Sequence, residues 1–183
     1  MSSIISLLSA AQISALSTTQ ISQLKTTDFA AMTSVQTSGL TTAQVGFIST
    51  ADVVSISPAA IASLQASVLA SLAVDLTASQ LTTGNISALE TANALSSVST
   101  AAIAALSTPQ VAALTTTALS TFTTAEIQAI STKDLASISA TTIGALSSTT
   151  LGELSTVQLQ NLSGAQIAAA AANLSTTQVA AFG

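Results

Sequence analysis

A large apolar residue followed by a hydroxyl returns along this chain every eight residues. That interval suits neither a strand nor a continuous helix. Leu8, Leu16, Leu24, Met32, Leu40, Ile48, Ile56, Leu64 and Leu72 stand in strict register. The steps to Leu81, Leu89, Val98 and Leu106 are 9, 8, 9 and 8 residues, and Leu114, Phe122, Ile130, Ile138, Leu146, Leu154 and Leu162 then restore the octad. A step of 12 leads to Leu174, and Phe182 closes the series. A second apolar residue sits three before most of these anchors, as Ile13, Ile21, Val53, Ile103, Val111 and Ile127 do. Spacings of 3 and 5 place such a pair on opposite faces of a strand. In one long helix, at about 100° per residue, each octad turns the apolar stripe by about 80°, so it winds around the rod and faces no single partner.

A helix that restarts in every unit meets the spacing. The residue after the anchor is Ser or Thr in 17 of 21 units, the exceptions being Lys25, Gln65, Ala73 and Glu90. A hydroxyl there accepts a free backbone N–H of the first helical turn. Three positions later, Gln, Asp or Glu occupies 12 of the 21 units, as at Gln12, Gln20, Asp28, Asp52, Gln110, Glu126, Asp134 and Gln158. Together these residues form a capping box, and the apolar residues on either side of it form a hydrophobic staple. Pro58 and Pro109 fall at the first and second positions after Ser57 and Ser107, where a helix tolerates proline. Each unit is therefore expected to be a helix of about seven residues, roughly 10 Å long. Its last apolar residue also serves as the staple of the next.

Helices this short do not persist alone in water, so they must stack. The pattern predicts an all-α fold: one solenoid domain over residues 1–183, built from very short capped helices, one per octad. Period breaks fall near 73–98 and 168–173. The first is expected to bend or widen one coil, the second to lengthen one helix, and either could mark an interface or a ligand site. The number of octads per coil is left open by the spacing.

Composition excludes several kinds of chemistry. The chain has no Cys, His, Trp or Tyr, which removes thiolate and imidazole catalysis and most transition-metal sites. Its two basic residues, Lys25 and Lys133, against a net charge of −5, give no footprint for nucleic acid or an anionic membrane. The longest aliphatic runs, such as 101–106 and 167–172, are far shorter than the roughly 20 residues of a transmembrane span. The opening MSSIISLLSAAQISAL already follows the repeat and lacks a basic n-region, unlike a secretory leader.

The acids Asp28, Asp52, Asp75, Glu90, Glu126, Asp134 and Glu153 are dispersed, and four of them occupy the capping-box position. They suggest neither a carboxylate pair for catalysis nor a calcium loop. No catalytic, cofactor-binding or metal site is assigned, and no enzymatic activity is expected. Asn85, Asn161 and Asn173 begin N-x-S sequons that the repeat itself tends to generate. The pairs Thr18-Thr19, Thr26-Thr27, Thr41-Thr42 and Thr123-Thr124 recur at similar places and could form a hydroxyl array, although capping accounts for such residues too.

The octads, of the form L-[ST]-[ST]-x-[QDE]-[IV]-x-x, resemble arrays in secreted or surface-associated bacterial proteins. The composition is similar to that of bacterial filament subunits such as flagellins, whose long coiled-coil termini the octads do not share. The expectation is an extracellular or cell-surface structural protein that assembles with itself into a filament, sheath or surface layer. The first full unit, SAAQISAL, and the last, STTQVAAF, look like interior units, which favours head-to-tail contacts, and a nearly uncharged surface favours lateral ones. The alternative is a monomeric surface-binding module, an adhesin segment or an ice or polysaccharide binder that uses a Thr-rich face.

Overall fold

The computed structural model describes residues 4–181, and the anchor Phe182 lies outside them. Among the described residues there are nineteen α-helices of four to nine residues, three short 3₁₀ turns and no strand. The fold is an all-α solenoid of capped helices, as the octads predict.

One octad shows how the local sequence produces the turn. Ser9 is extended (φ −76°, ψ 164°) and caps the helix Ala10–Ser14. Its Oγ accepts from the Gln12 N–H at 3.3 Å, and Gln12 Oε1 accepts the Ser9 N–H at 2.9 Å. At the far end the Leu16 N–H donates to the Ile13 carbonyl at 3.1 Å. This bond from residue i to i−3 tightens the last turn. The helix is therefore shorter than the seven residues expected: five are helical, and the anchor and cap turn the corner. Three anchors that are themselves the C-cap are extended, Ile56 (ψ 131°), Phe122 (ψ 144°) and Ile130 (ψ 125°), whereas Leu72, at the first period break, stays helical (ψ −2°). Two successive extended residues end one helix and aim the next.

The described chain divides into two compact units, one running to Ser99 and the other from Thr100. In the first, Ala10–Ser14 packs on Ser34–Thr37, Thr18–Ser22 on Thr42–Val45, and Thr26–Ala30 on Thr50–Ser55. In the second, Thr100–Ala104 packs on Thr124–Ala129, Thr108–Ala112 on Thr132–Leu135, and Ala140–Gly144 on Gly164–Ala170. In these regular stretches of each unit a helix thus meets the third one after it, so three octads complete a coil. The apolar pairs turn inward: Ile13, Ile21, Val53, Ile61 and Ile143 are fully buried, and the anchors Leu40, Leu72, Leu114 and Ile130 nearly so.

Two glycines mark places where coils meet backbone to backbone. A Cβ on Gly39 would lie 2.2 Å from the Ala10 carbonyl oxygen, and one on Gly144 would lie 2.8 Å from Ala169. At the first period break the octad gives way to the 3₁₀ turn Ala73–Asp75, the nine-residue helix Thr83–Thr91 and the 3₁₀ turn Leu95–Ser97. That long helix ends on Asn93 (φ 54°), with Ala94 N–H on the Leu89 carbonyl at 2.8 Å and Asn93 N–H on that of Glu90 at 3.0 Å. This is a Schellman ending, which favours Gly or Asn at the left-handed position. At the second break the helix Gly164–Ala170 has seven residues.

Candidate functional site

The residues that could do something beyond folding are the polar groups joining one coil to the next. Glutamine at the third helical position does two jobs at once. Gln158 Oε1 accepts the Ser155 N–H at 3.0 Å, completing the capping box. Its Nε2 donates to the carbonyls of Ile127 (2.8 Å) and Ile130 (2.9 Å), in the preceding coil. Gln166 repeats this on Leu135 and Ile138, Gln44 on Ile13 and Leu16, and Gln36 on Ile5 and Leu8. In each case the acceptors lie 31 and 28 residues back, at the inner apolar residue and at the anchor. All four side chains are buried. A buried carboxamide is costly unless both ends are satisfied, and here both are.

The same strap occurs at Gln80, which the octad register skips. Gln80 Oε1 accepts the Thr77 N–H at 3.0 Å, and its Nε2 donates to Val53 (2.7 Å) and Ile56 (2.8 Å). The signal was present in LTASQL, 76–81, the usual phrase displaced within the irregular stretch. Thr37 is another unforeseen strap: it is fully buried and donates to the Ala60 carbonyl at 2.8 Å.

Acids at the same helical position strap differently, because a carboxylate cannot donate to a carbonyl. Asp52 accepts from Ser49 Oγ in its own cap (2.6 Å) and from Thr26 Oγ1 in the coil before (2.7 Å). Asp134 likewise accepts from Ser131 and Thr108, both at 2.5 Å. The Ser131 hydroxyl, then that of Thr108, hold the Asp134 carboxyl below its ordinary value, with Lys133 adding a smaller pull. Asp75 accepts from Thr50, and Glu153, at the C-cap of its helix and not at the third position, accepts from Thr124. Asp28 accepts the Lys25 N–H at 2.9 Å, half of a box whose cap has no acceptor of its own. Glu126 is buried and accepts from the Thr123 N–H and hydroxyl, both at 2.7 Å.

The four units without a Ser/Thr cap form a coherent set. Lys25 supports only that half-box, Gln65 makes no side-chain cap, Ala73 starts a 3₁₀ turn and Glu90 lies inside the long helix. The paired threonines do not form a uniform free lattice. Thr41 and Thr123 are caps, and Thr26 and Thr124 are committed to acids. Of the sequon asparagines, Asn85 is buried with its Nδ2 on the Gln80 carbonyl at 2.6 Å. Asn173 Nδ2 binds the Leu146 carbonyl at 2.9 Å, and Asn161 is exposed. No group of three or more acids among the described residues could hold a metal ion.

The coil faces at the two extremes of the described chain differ from the interior. Leu8, Leu16 and Leu24 are half-buried, whereas the anchors from Met32 to Leu162 are buried. Gln12 and Gln20 are exposed, and neither Nε2 donates to a described group. An open hollow of about 330 Å³ lies here, bordered by Ile5, Leu8, Leu16, Gln20 and Leu24. In the other unit Ile167 and Leu174 are half-buried and Val179 is 54% exposed. No described helix is long and apolar enough to cross a membrane. No family model, curated protein or solved structure matches the chain.

Proposed function

We propose that this chain is an extracellular or cell-surface structural protein of bacterial type whose copies assemble into a filament, sheath or surface layer. Its role is mechanical and not catalytic. One observation carries the reading: the joint between coils is generic. A buried glutamine bridges to carbonyls 28 and 31 residues back in both units, with the same partners by position. A joint that repeats inside a chain can repeat between chains, because nothing in it depends on covalent continuity. Low charge supports close packing: two basic and seven acidic residues leave little repulsion to hold copies apart. The resemblance of the octads to those of secreted and surface bacterial proteins agrees with this reading.

Negative-stain electron microscopy and sedimentation of the purified chain over a range of concentrations test it. Long regular polymers are the expected outcome. A chain that stays monomeric at high concentration overturns the proposal and leaves the surface-binding alternative in its place.

A further inference from the structure

We propose that Asn161 is an N-glycan acceptor, modified as the chain is exported. The inference rests on the extracellular reading and adds a covalent site to it. The fold separates the three N-x-S sequons. Asn85 is 3% exposed and its Nδ2 lies 2.6 Å from the Gln80 carbonyl, so no sugar fits there. Asn173 is half-buried, and its Nδ2 spans two carbonyls of the preceding coil, Leu146 at 2.9 Å and Gly144 at 3.4 Å. A sugar on that nitrogen takes the place of one donated hydrogen and pushes the coils apart. Both asparagines therefore have a structural task. Asn161 has none between coils: it is exposed, and its Nδ2 donates to the Val157 carbonyl of its own helix at 2.8 Å. A glycosylated amide keeps one N–H, so that bond survives modification. The exposure belongs to the octad and not to one coil. The residue before the anchor is exposed or half-buried throughout the strict octads, as Gln23, Ala105 and Ala145 are. Phe47 holds this position with helices packed on both sides of its own, and it is still 55% exposed. A bulky group at this corner thus points away from the coils. Ser163, which completes the sequon, is exposed and caps the helix Gly164–Ala170. In the reaction, Asn161 Nδ2 forms a bond to C1 of the first sugar of an oligosaccharide carried on a lipid pyrophosphate. The bond from C1 to the pyrophosphate oxygen breaks, the lipid pyrophosphate leaves, and the amide proton passes to a base of the transferase.

The test is export of the full chain, behind a cleavable leader, from cells that carry an oligosaccharyltransferase with its lipid-linked donor and that modify a control N-x-S protein. Intact mass of the folded product should rise by one oligosaccharide. Enzymatic release converts a modified asparagine to aspartate, and peptide mapping should place that change at position 161 alone. Asn161→Gln and Ser163→Ala should each abolish the added mass. Ser163→Thr keeps both the sequon and the cap and should retain it. Asn161 is exposed, so circular dichroism and melting temperature of Asn161→Gln should match those of the unglycosylated parent. Folded parent with a bare Asn161 would overturn the proposal, as would a folded chain carrying sugar on Asn85 or Asn173. Fractionation of the source cells tests location separately. Protein confined to the cytosol would overturn the extracellular reading and the glycan with it. Exported protein with a bare Asn161 would overturn the glycan and leave the extracellular reading standing.

Discussion

A carboxamide has an acceptor end and a donor end, and the position of Gln158 uses both. Removing it should therefore cost more than a cap. Gln158→Ala leaves the Ile130 carbonyl without its donor in a buried setting and takes the side chain off the Ser155 N–H. The expected loss is about 2–3 kcal/mol. Gln12→Ala removes the capping acceptor alone from an exposed helix and should cost about 0.5–1 kcal/mol. Urea unfolding of both variants measures the difference, and equal losses would mean that the coil-to-coil bond contributes nothing. This contrast also shows what sequence can and cannot reveal. The capping half of the glutamine role follows from a three-residue spacing, and local chemistry suffices to read it. The strapping half depends on which carbonyl lies beneath the side chain, and that is fixed only once three octads close a coil. The octad spacing did not set that number. Gln80 was missed for a simpler reason: its phrase falls between two anchors counted as neighbours.

At the scale of the helix, eight residues leave room for one cap, about five helical residues and a corner, so glycine has two opposite values. Gly46 follows the helix Thr42–Val45 in right-handed conformation (φ −63°, ψ −9°) with nothing near the place of a Cβ. Gly46→Ala should stabilise by about 0.4–1 kcal/mol through the unfolded state. Gly39 has the Ala10 backbone where its Cβ would stand, and Gly39→Ala should cost about 1–3 kcal/mol as the two coils are pushed apart. Thermal unfolding of the pair should show shifts of opposite sign. Asn93 belongs with them. Its left-handed conformation ends the longest helix, so Asn93→Val should cost about 1–2 kcal/mol while Asn93→Gly is close to neutral. Sequence alone does not separate Gly39 from Gly46, because the need for glycine at Gly39 comes from a neighbour in the next coil. The irregular stretch near 73–98 was visible as a break in count, but the 3₁₀ turns and longer helix that absorb it were not.

Within each unit contacts run between successive coils, and the Asp134 strap makes that stacking depend on pH. Hydrogen bonds from Ser131 and Thr108 lower the pKa of Asp134, so the folded chain binds fewer protons there than the unfolded one. A group shifted in this direction contributes fully above the ordinary aspartate value near 4, and its contribution is lost as pH falls through the lower folded value. Unfolding free energy should therefore decline below about pH 4. Asp134→Asn should be less stable than the parent at pH 7 and decline less steeply in acid. Parallel pH profiles for the two proteins would remove Asp134 from the account. Association should move the other way over part of this range. The net charge of −5 at pH 7 falls to zero near the isoelectric point of about 4.1, which takes away the repulsion between copies before the Asp134 strap is lost. Light scattering should accordingly rise from pH 7 to a maximum near pH 4. Added salt at pH 7 should reproduce part of that rise, because screening also weakens repulsion. Scattering that does not change with either treatment would show that contacts between copies are insensitive to charge.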